Sequence, residues 1–490
     1  MAVRECQKRT SHGVRGITYR HGERFSLVLR TASSASTAAR APIPGGPYSR
    51  AMPVSRKRKN RKSPASKPRP SMRAPLGSQP AWPGEPAPQD VVQILAGLSE
   101  QRDRLAEQRA ATATASAEQL VTNLVAYASA NPDADLEAEL CVLLGDHLRR
   151  WRDLPVLEAP DSDALIDAVV TAAAASVREA LAADGPTGWQ SPWRALVAVA
   201  GVVPESSARA IDEAVDELRT LPDGGVLPTL PAGPTVAGGV RWARDAYGSR
   251  FALVAPIASA GRPPHWYLWD VDACAHTPMT VYAGFHDSPE QAFAEWQAAV
   301  GPVAAGAATL TDVDDPTLMV ELFHRSYDYR HAPQSQIEEY VRSRRLTDEA
   351  IGSVQVHPGD TVDVLDAATA ATGFIAWLGE HRPELAATDG LAGSVRELAA
   401  SWFFGEPRAL LGTCSPHRVA HAVLHLHNFY RDDFVGELMA LMPDWTAWLA
   451  ERNGTPAELA ERCRPYALGA THPDVGADNS RPITNARVVE

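Results

Sequence analysis

A chain of 490 residues, 45% hydrophobic and 22% charged, has the composition of a globular protein with room for two or three cores, which excludes fibrous, collagenous and wholly disordered classes. No apolar run approaches the roughly 20 residues of a spanning helix, so we expect no membrane segment. The net charge of −12 divides unevenly: residues 1–75 hold 18 basic groups against 2 acidic ones, and the rest of the chain holds 29 basic against 57 acidic.

All five lysines, Lys8, Lys57, Lys59, Lys62 and Lys67, fall in that basic segment. Walker-A loops, protein-kinase sites, pyridoxal-phosphate enzymes and Schiff-base aldolases each need a lysine amine. Arginine stays protonated and cannot replace it, so the chain from residue 68 onward excludes all four. Few lysines beside abundant Arg and Ala match the coding bias of a GC-rich bacterium. Cys6, Cys141, Cys274, Cys414 and Cys463 include no C-x-x-C pair, which argues against a secreted disulfide framework or a zinc ribbon and suits a reducing cytoplasm. Cys141, among Leu140, Val142 and Leu143, reads as a core residue.

Residues 1–84 have no helical or strand period and predict a disordered basic tail, within which Met52 reads as an alternative translation start. The Arg- and Ser-rich stretch 1–51 also has the composition of an organelle transit peptide. Arg56, Lys57, Arg58, Lys59, Arg61 and Lys62, extended by Lys67 and Arg69, place eight cations in fourteen residues. Such a run would make weak, salt-sensitive, sequence-independent contacts to nucleic-acid phosphates, without an aromatic ring for base stacking. A solubilising or self-associating tail has the same composition.

From residue 85 to 220 the apolar spacing is helical: Val91, Val92, Ile94, Leu95, Leu98 and Leu105 are followed by Ala117–Ala130, Leu136–Trp151, Ser162–Ala183 and Ser206–Leu218, a bundle. Pro and Gly crowd residues 221–239, which predict a linker. Val240–Arg244, Arg250–Pro256, His265–Val271 and Met279–Ala283 are short, aromatic or β-branched, and separated by turn residues. With a helix opened by Ser288 and Pro289 they predict an antiparallel β4α module over 240–300. Residues 315–466 return to helical spacing, with Ser415-Pro416 and the Thr455-Pro456-Ala457-Glu458 capping box as start signals, and 467–490 should fray. The fold class expected is α+β, predominantly α-helical: two helical domains flank a small four-stranded antiparallel sheet with its helix.

The leading candidate site is His417, His421 and His425. At 100° per residue they fall at about 0°, 40° and 80° on the helix opened by Ser415, opposite Val419, Val423 and Leu426. Imidazoles four residues apart can hold one metal, with Asp432 or Asp433 as a carboxylate, but no Glu follows them as a general base. The bland alternative is a solvated or interdomain histidine face. His427, nearer the apolar side, reads as a hydrogen-bonded core residue. Asp270, Asp272 and Cys274 share one strand face if the strand persists, with His276 and the pair His286-Asp287 nearby, yet turn aspartates are ordinary. Gln334–Val354 could form a helix–turn–helix presenting Arg342, Arg344 and Arg345 to DNA. Trp445 and Trp448 read as core.

No G-x-S-x-G, G-x-G-x-x-G or H-E-x-x-H signature occurs. The sequence therefore leans away from an enzyme and toward a non-catalytic interaction or scaffolding protein with an unknown protein partner and no cofactor. The alternatives are a nucleic-acid-associated protein using Arg56–Arg69 and a metal-dependent enzyme using the histidine stripe.

Overall fold

The computed structural model describes residues 88–183, 188–259, 263–275, 277–323, 329–332, 334–354, 364–405, 407–473 and 475. The basic tail expected over 1–84, with the run Arg56–Arg69, lies outside them. The chain divides into two units at Gly97/Leu98, and of the first only the opening turns of a helix are described. The rest of that helix and all later elements belong to the second unit.

Five helices come first: α1 (Pro88–Ala130), α2 (Leu136–Arg152), α3 (Ser162–Ala183), α4 (Gln190–Val202) and α5 (Glu205–Thr220). The alanine-rich stretch after Leu105 contains no breaker, so two expected helices are one helix of 43 residues. Helix α2 is capped by Asp135, whose carboxylate accepts from the N–H groups of Glu137 and Ala138, and carries Arg149, Arg150 and Arg152 in its last turn, complementing the helix dipole. Leu120 and Leu124 of α1, Leu140 and Leu144 of α2, Val169 and Val177 of α3, Leu196 of α4 and Ile211 of α5 form one core, and Cys141 is buried in it as expected. Tyr329, Ile337, Tyr340 and Val341, which come from beyond the sheet in sequence, complete that core.

Gly145 of α2 lies under residue 338, where a Cβ would stand 2.9 Å from the Glu338 Cα. Gly145→Ala is expected to cost about 1–3 kcal/mol through this clash. The midpoint of urea unfolding measures it, and an unchanged midpoint would show that the segment yields.

The sheet is antiparallel and has six strands where four are expected: β1 (Thr235–Val236), β2 (Arg241–Arg244), β3 (Arg250–Ala258), β4 (His265–Asp272), β5 (Met279–His286) and β6 (Thr311–Asp312). Its order is β5-β4-β3-β2-β6, with β1 pairing the end of β3. The two extra strands are two residues each, too short to show a period. β1 corrects the expected linker: the Thr235-Val236 dipeptide pairs with Ala258 and Ile257, and Leu227 is buried in the helical core.

Helices cover both sheet faces, which is why β3 and β4 read as nearly continuous apolar runs. On one face Trp242, Phe251, Leu253, Tyr267, Trp269 and Val271 pack against Met319 and Phe323 of α8 (Pro316–Phe323) and Leu346 of α9 (Tyr340–Gly352). On the other, Ala252, Val254 and Leu268 meet Ala292 and Trp296 of α6 (Pro289–Val300). As its sequence predicts, α6 begins with Ser288 accepting from the Gln291 N–H and proline in the first turn.

After the short α7 (Pro302–Ala305), and past α8 and α9, come α10 (Ala367–His381), α11 (Pro383–Ala386), α12 (Leu391–Trp402), α13 (Pro416–Phe429), α14 (Asp432–Arg452) and α15 (Ala457–Ala467). Trp445 and Trp448 are core residues, with ring centroids 5.1 and 5.7 Å from that of Phe374. The Thr455 capping box does not form. Pro456 itself takes the cap position, which moves Thr455 one residue outside it. No helix among the described residues is long and apolar enough to cross a membrane.

Candidate metal centre

The site is built on the turn between β2 and β3. Asp245 closes it: one carboxylate oxygen accepts from the Ser249 N–H at 2.7 Å and the Arg250 N–H at 3.1 Å. Gly248 supplies the left-handed residue of this turn, at φ +69°. Arg250, the first residue of β3, then reaches across to β4 and donates to both oxygens of Asp270, at 2.8 and 2.6 Å. Strand alternation places Asp272 on the same face as Asp270, and β4 ends there. Past the strand end the chain turns, with the Cys274 N–H donating to Asp272 Oδ1 at 2.8 Å and the Ala273 N–H to the Ser249 carbonyl at 2.9 Å.

Helix α13 begins against this turn. Its cap, Ser415, accepts from the Arg418 N–H, and the same hydroxyl lies 3.1 Å from Cys274 Sγ. Two residues on, His417 Nδ1 is 2.6 Å from Asp272 Oδ2. The Cys274 thiol donates to Ser249 Oγ at 3.3 Å. One donor atom each from Asp272, Cys274 and His417 lies within 4.8 Å of the others, and among the described residues this is the His, Cys and carboxylate group able to hold a metal ion. His421 and His472 both lie with ring centroids 4.9 Å from that of His417.

Electrostatics separate the carboxylates. Burial works to raise Asp272, but the charge and hydrogen bond of His417, with the Cys274 N–H, outweigh it and hold the carboxyl well below the usual range. Asp245 has no cation of that kind; burial raises it to about 6, against its two backbone hydrogen bonds and with the Asp272 charge adding to the rise. Asp270 is also raised, first by burial, despite Arg250. Arg418 is lowered to about 10 by burial, and the Cys274 thiol is pushed well above its ordinary value by burial and by the charges of Asp272 and Asp245. The thiol lies in hydrogen-bond contact with the hydroxyls of Ser249 and Ser415.

The structure thus joins two segments that the sequence presents as separate candidates, and takes one member of the histidine stripe. His425 lies instead against Phe404 and Phe429, at centroid distances of 6.0 and 4.4 Å. His427 is exposed in the last turn of α13, not a core residue. Asp432 and Asp433 are exposed at the start of α14, where Asp433 pairs with Arg431 at 2.8 Å. His286 pairs with Trp266 at the opposite end of β4 from Asp272, and His276 lies outside the described residues.

The expected DNA-reading arginines are turned inward. Arg342 donates to the Glu137 carbonyl and lies 3.0 Å from Cys141 Sγ, Arg344 pairs with Asp163 and Arg345 with Glu349. An open cleft of about 470 Å³ between α1 and α2, lined by Gln108, His147, Arg150 and Trp151 among others, is separate from the metal centre. Comparison with protein-family models, with curated proteins and with solved structures finds no match to the chain.

Proposed function

We propose that this is a non-catalytic interaction or scaffolding protein whose sheet and C-terminal helices are joined by a divalent transition metal of the zinc class, held by Asp272, Cys274 and His417. The observation that carries the reading is the mixed carboxylate, thiolate and imidazole set assembled from two distant segments. Oxygen, sulfur and nitrogen donors of these types suit zinc, with bond lengths of about 2.0–2.3 Å. Tetrahedral ligands then stand roughly 3.3–3.8 Å apart. The Asp272–His417 contact at 2.6 Å must therefore open by about 1 Å as the metal takes the place of the shared proton. A closed structural site would draw its fourth donor from His421 or His472, whose ring centroids lie 4.9 Å from that of His417.

Titration of the metal-stripped full chain with Co²⁺ tests this. One equivalent should bind with proton release and a thiolate-to-cobalt charge-transfer band, because the thiol must ionise to ligate. Asp272→Asn, Cys274→Ser and His417→Gln should each weaken Zn²⁺ binding more than about 100-fold, beyond the usual cost of losing an outer partner. His425→Gln should leave binding unchanged. Absence of the charge-transfer band, or tight binding that survives Cys274→Ser, overturns the assignment.

A further inference from the structure

The open cleft between α1 and α2, about 470 Å³, falls within the size range of small-molecule pockets, roughly 300–1,000 Å³. Residues 98–107 of α1 are exposed apart from the half-buried Leu105, and the cleft opens beside the turns that follow, against the last turns of α2. Its α1 wall is Ala111, Thr112, Ala115 and Ser116, short side chains that let a ring lie close to the helix. The Thr112 hydroxyl donates to the Gln108 carbonyl at 2.9 Å.

The α2 wall carries the recognition groups. His147 and Trp151, one turn apart, are 5% and 4% exposed, with ring centroids 6.5 Å apart and planes at 71°. Both line the cleft, and among the described residues neither a His147 ring nitrogen nor Trp151 Nε1 takes part in a hydrogen bond. Buried N–H groups ordinarily have a partner, so two of them on one cleft wall point to an acceptor that enters the cleft. Arg150 stands between them in sequence. Its Nε donates to the Asp146 carbonyl at 3.1 Å, and its guanidinium makes no ion pair among the described residues, Asp146 being paired with Arg149. No carboxylate is among the residues described as lining the cleft. Burial, followed by the Arg150 charge, holds His147 below its ordinary value, so near neutral pH its ring is uncharged. One cation beside neutral donors matches a single negative charge, and a phosphate dianion would leave one charge unmatched.

We propose that this cleft binds a small aromatic carboxylate, with its oxygens on Arg150, Trp151 Nε1 and His147 and its ring on the small-residue wall of α1. A guanidinium and a carboxylate pair through charge-assisted hydrogen bonds, the strong kind. The site shares no residue with the Asp272, Cys274 and His417 group and does not depend on metal binding.

The test is isothermal titration of the full chain with cinnamate and with cinnamamide, which has nearly the same shape and no charge. Cinnamate should saturate one site with a submillimolar Kd, and cinnamamide should bind at least about 10-fold more weakly for want of the charge-assisted bonds. Arg150→Met should weaken cinnamate by the same factor, and Trp151→Phe, which keeps a ring and removes the N–H, by about 5–10-fold. Ala115→Leu fills the cleft from an exposed position with a good helix former, and should abolish binding while the far-ultraviolet circular dichroism stays unchanged. Arg150 is exposed as well, so the outcome does not hang on a variant that unfolds. Loading with Zn²⁺ should leave the affinity as it is, so the cleft and the metal centre stand or fall separately. No saturable binding of cinnamate, equal binding of cinnamamide, or binding that survives Ala115→Leu overturns the proposal.

Discussion

Replacing Arg250 by alanine is expected to destabilise the protein by about 3–5 kcal/mol, the cost of leaving one member of a buried pair without its partner. Asp270 is 1% exposed and receives both of its guanidinium hydrogen bonds from Arg250, at 2.8 and 2.6 Å. Burial already raises this carboxyl with Arg250 in place, so in the variant it should take up a proton instead of remaining charged. The penalty should therefore shrink as pH falls toward 5. Replacing both partners, Arg250→Met with Asp270→Leu, should recover most of the loss, because two apolar side chains leave no buried charge unpaired. Urea unfolding followed by tryptophan fluorescence reads all three proteins. A single-variant loss below about 1 kcal/mol, the scale of an exposed pair, would mean that water reaches Asp270.

The second large effect has the opposite sign. Asp245→Asn is expected to stabilise the metal-free protein at pH 7.5 by about 2–3 kcal/mol and to have no effect near pH 4. Asp245 is held at about 6, chiefly by burial, whereas an unfolded aspartate titrates near 3.9. A carboxyl raised on folding binds its proton more tightly in the native state. Its contribution is complete below the unfolded value and is lost as pH rises through about 6. Asparagine keeps an acceptor oxygen for the Ser249 and Arg250 N–H groups and carries no charge, so the turn is retained and the pH dependence removed. Asp272 runs the other way: its folded value is depressed, so its contribution is present above the unfolded value and lost as pH falls. The difference between variant and wild type isolates Asp245 from this opposing term. Unfolding free energies at pH 4, 5, 6 and 7.5 measure it, and a difference constant across that range would contradict the burial argument.

Local rules located many of the elements, because their signals are local. Ser288-Pro289 and Ser415-Pro416 start helices where capping chemistry says they should, and β2 through β5 follow their aromatic and β-branched runs and the turns between them. The misses are nonlocal or marginal. Two-residue strands carry no period, and β6 is defined by its pairing with β2, a partner some 70 residues away in the chain. In the metal centre, the helical wheel correctly put His417 away from the apolar stripe, and strand alternation put Asp270 and Asp272 together. Nothing within either segment says that α13 docks on the end of β4. A stripe of three histidines is a statement about one helix, whereas the ligand set depends on what that helix meets. His427 shows the same limit from the other side: its wheel angle is apolar, but a side chain in the last turn can reach water.

The shared core between α1–α5 and the segment from Tyr329 to Val341 has a consequence for how the chain is made. The first five helices leave the ribosome before the residues that seal them. At about 5–20 residues per second, synthesis from Leu227 to Val341 occupies roughly 6–23 s. Through that interval the nascent bundle presents the apolar surface later covered by Tyr329, Ile337, Tyr340 and Val341. Messages truncated within the sheet would yield chains that keep this surface bare permanently, making them natural clients for holdase chaperones and for proteolytic clearance.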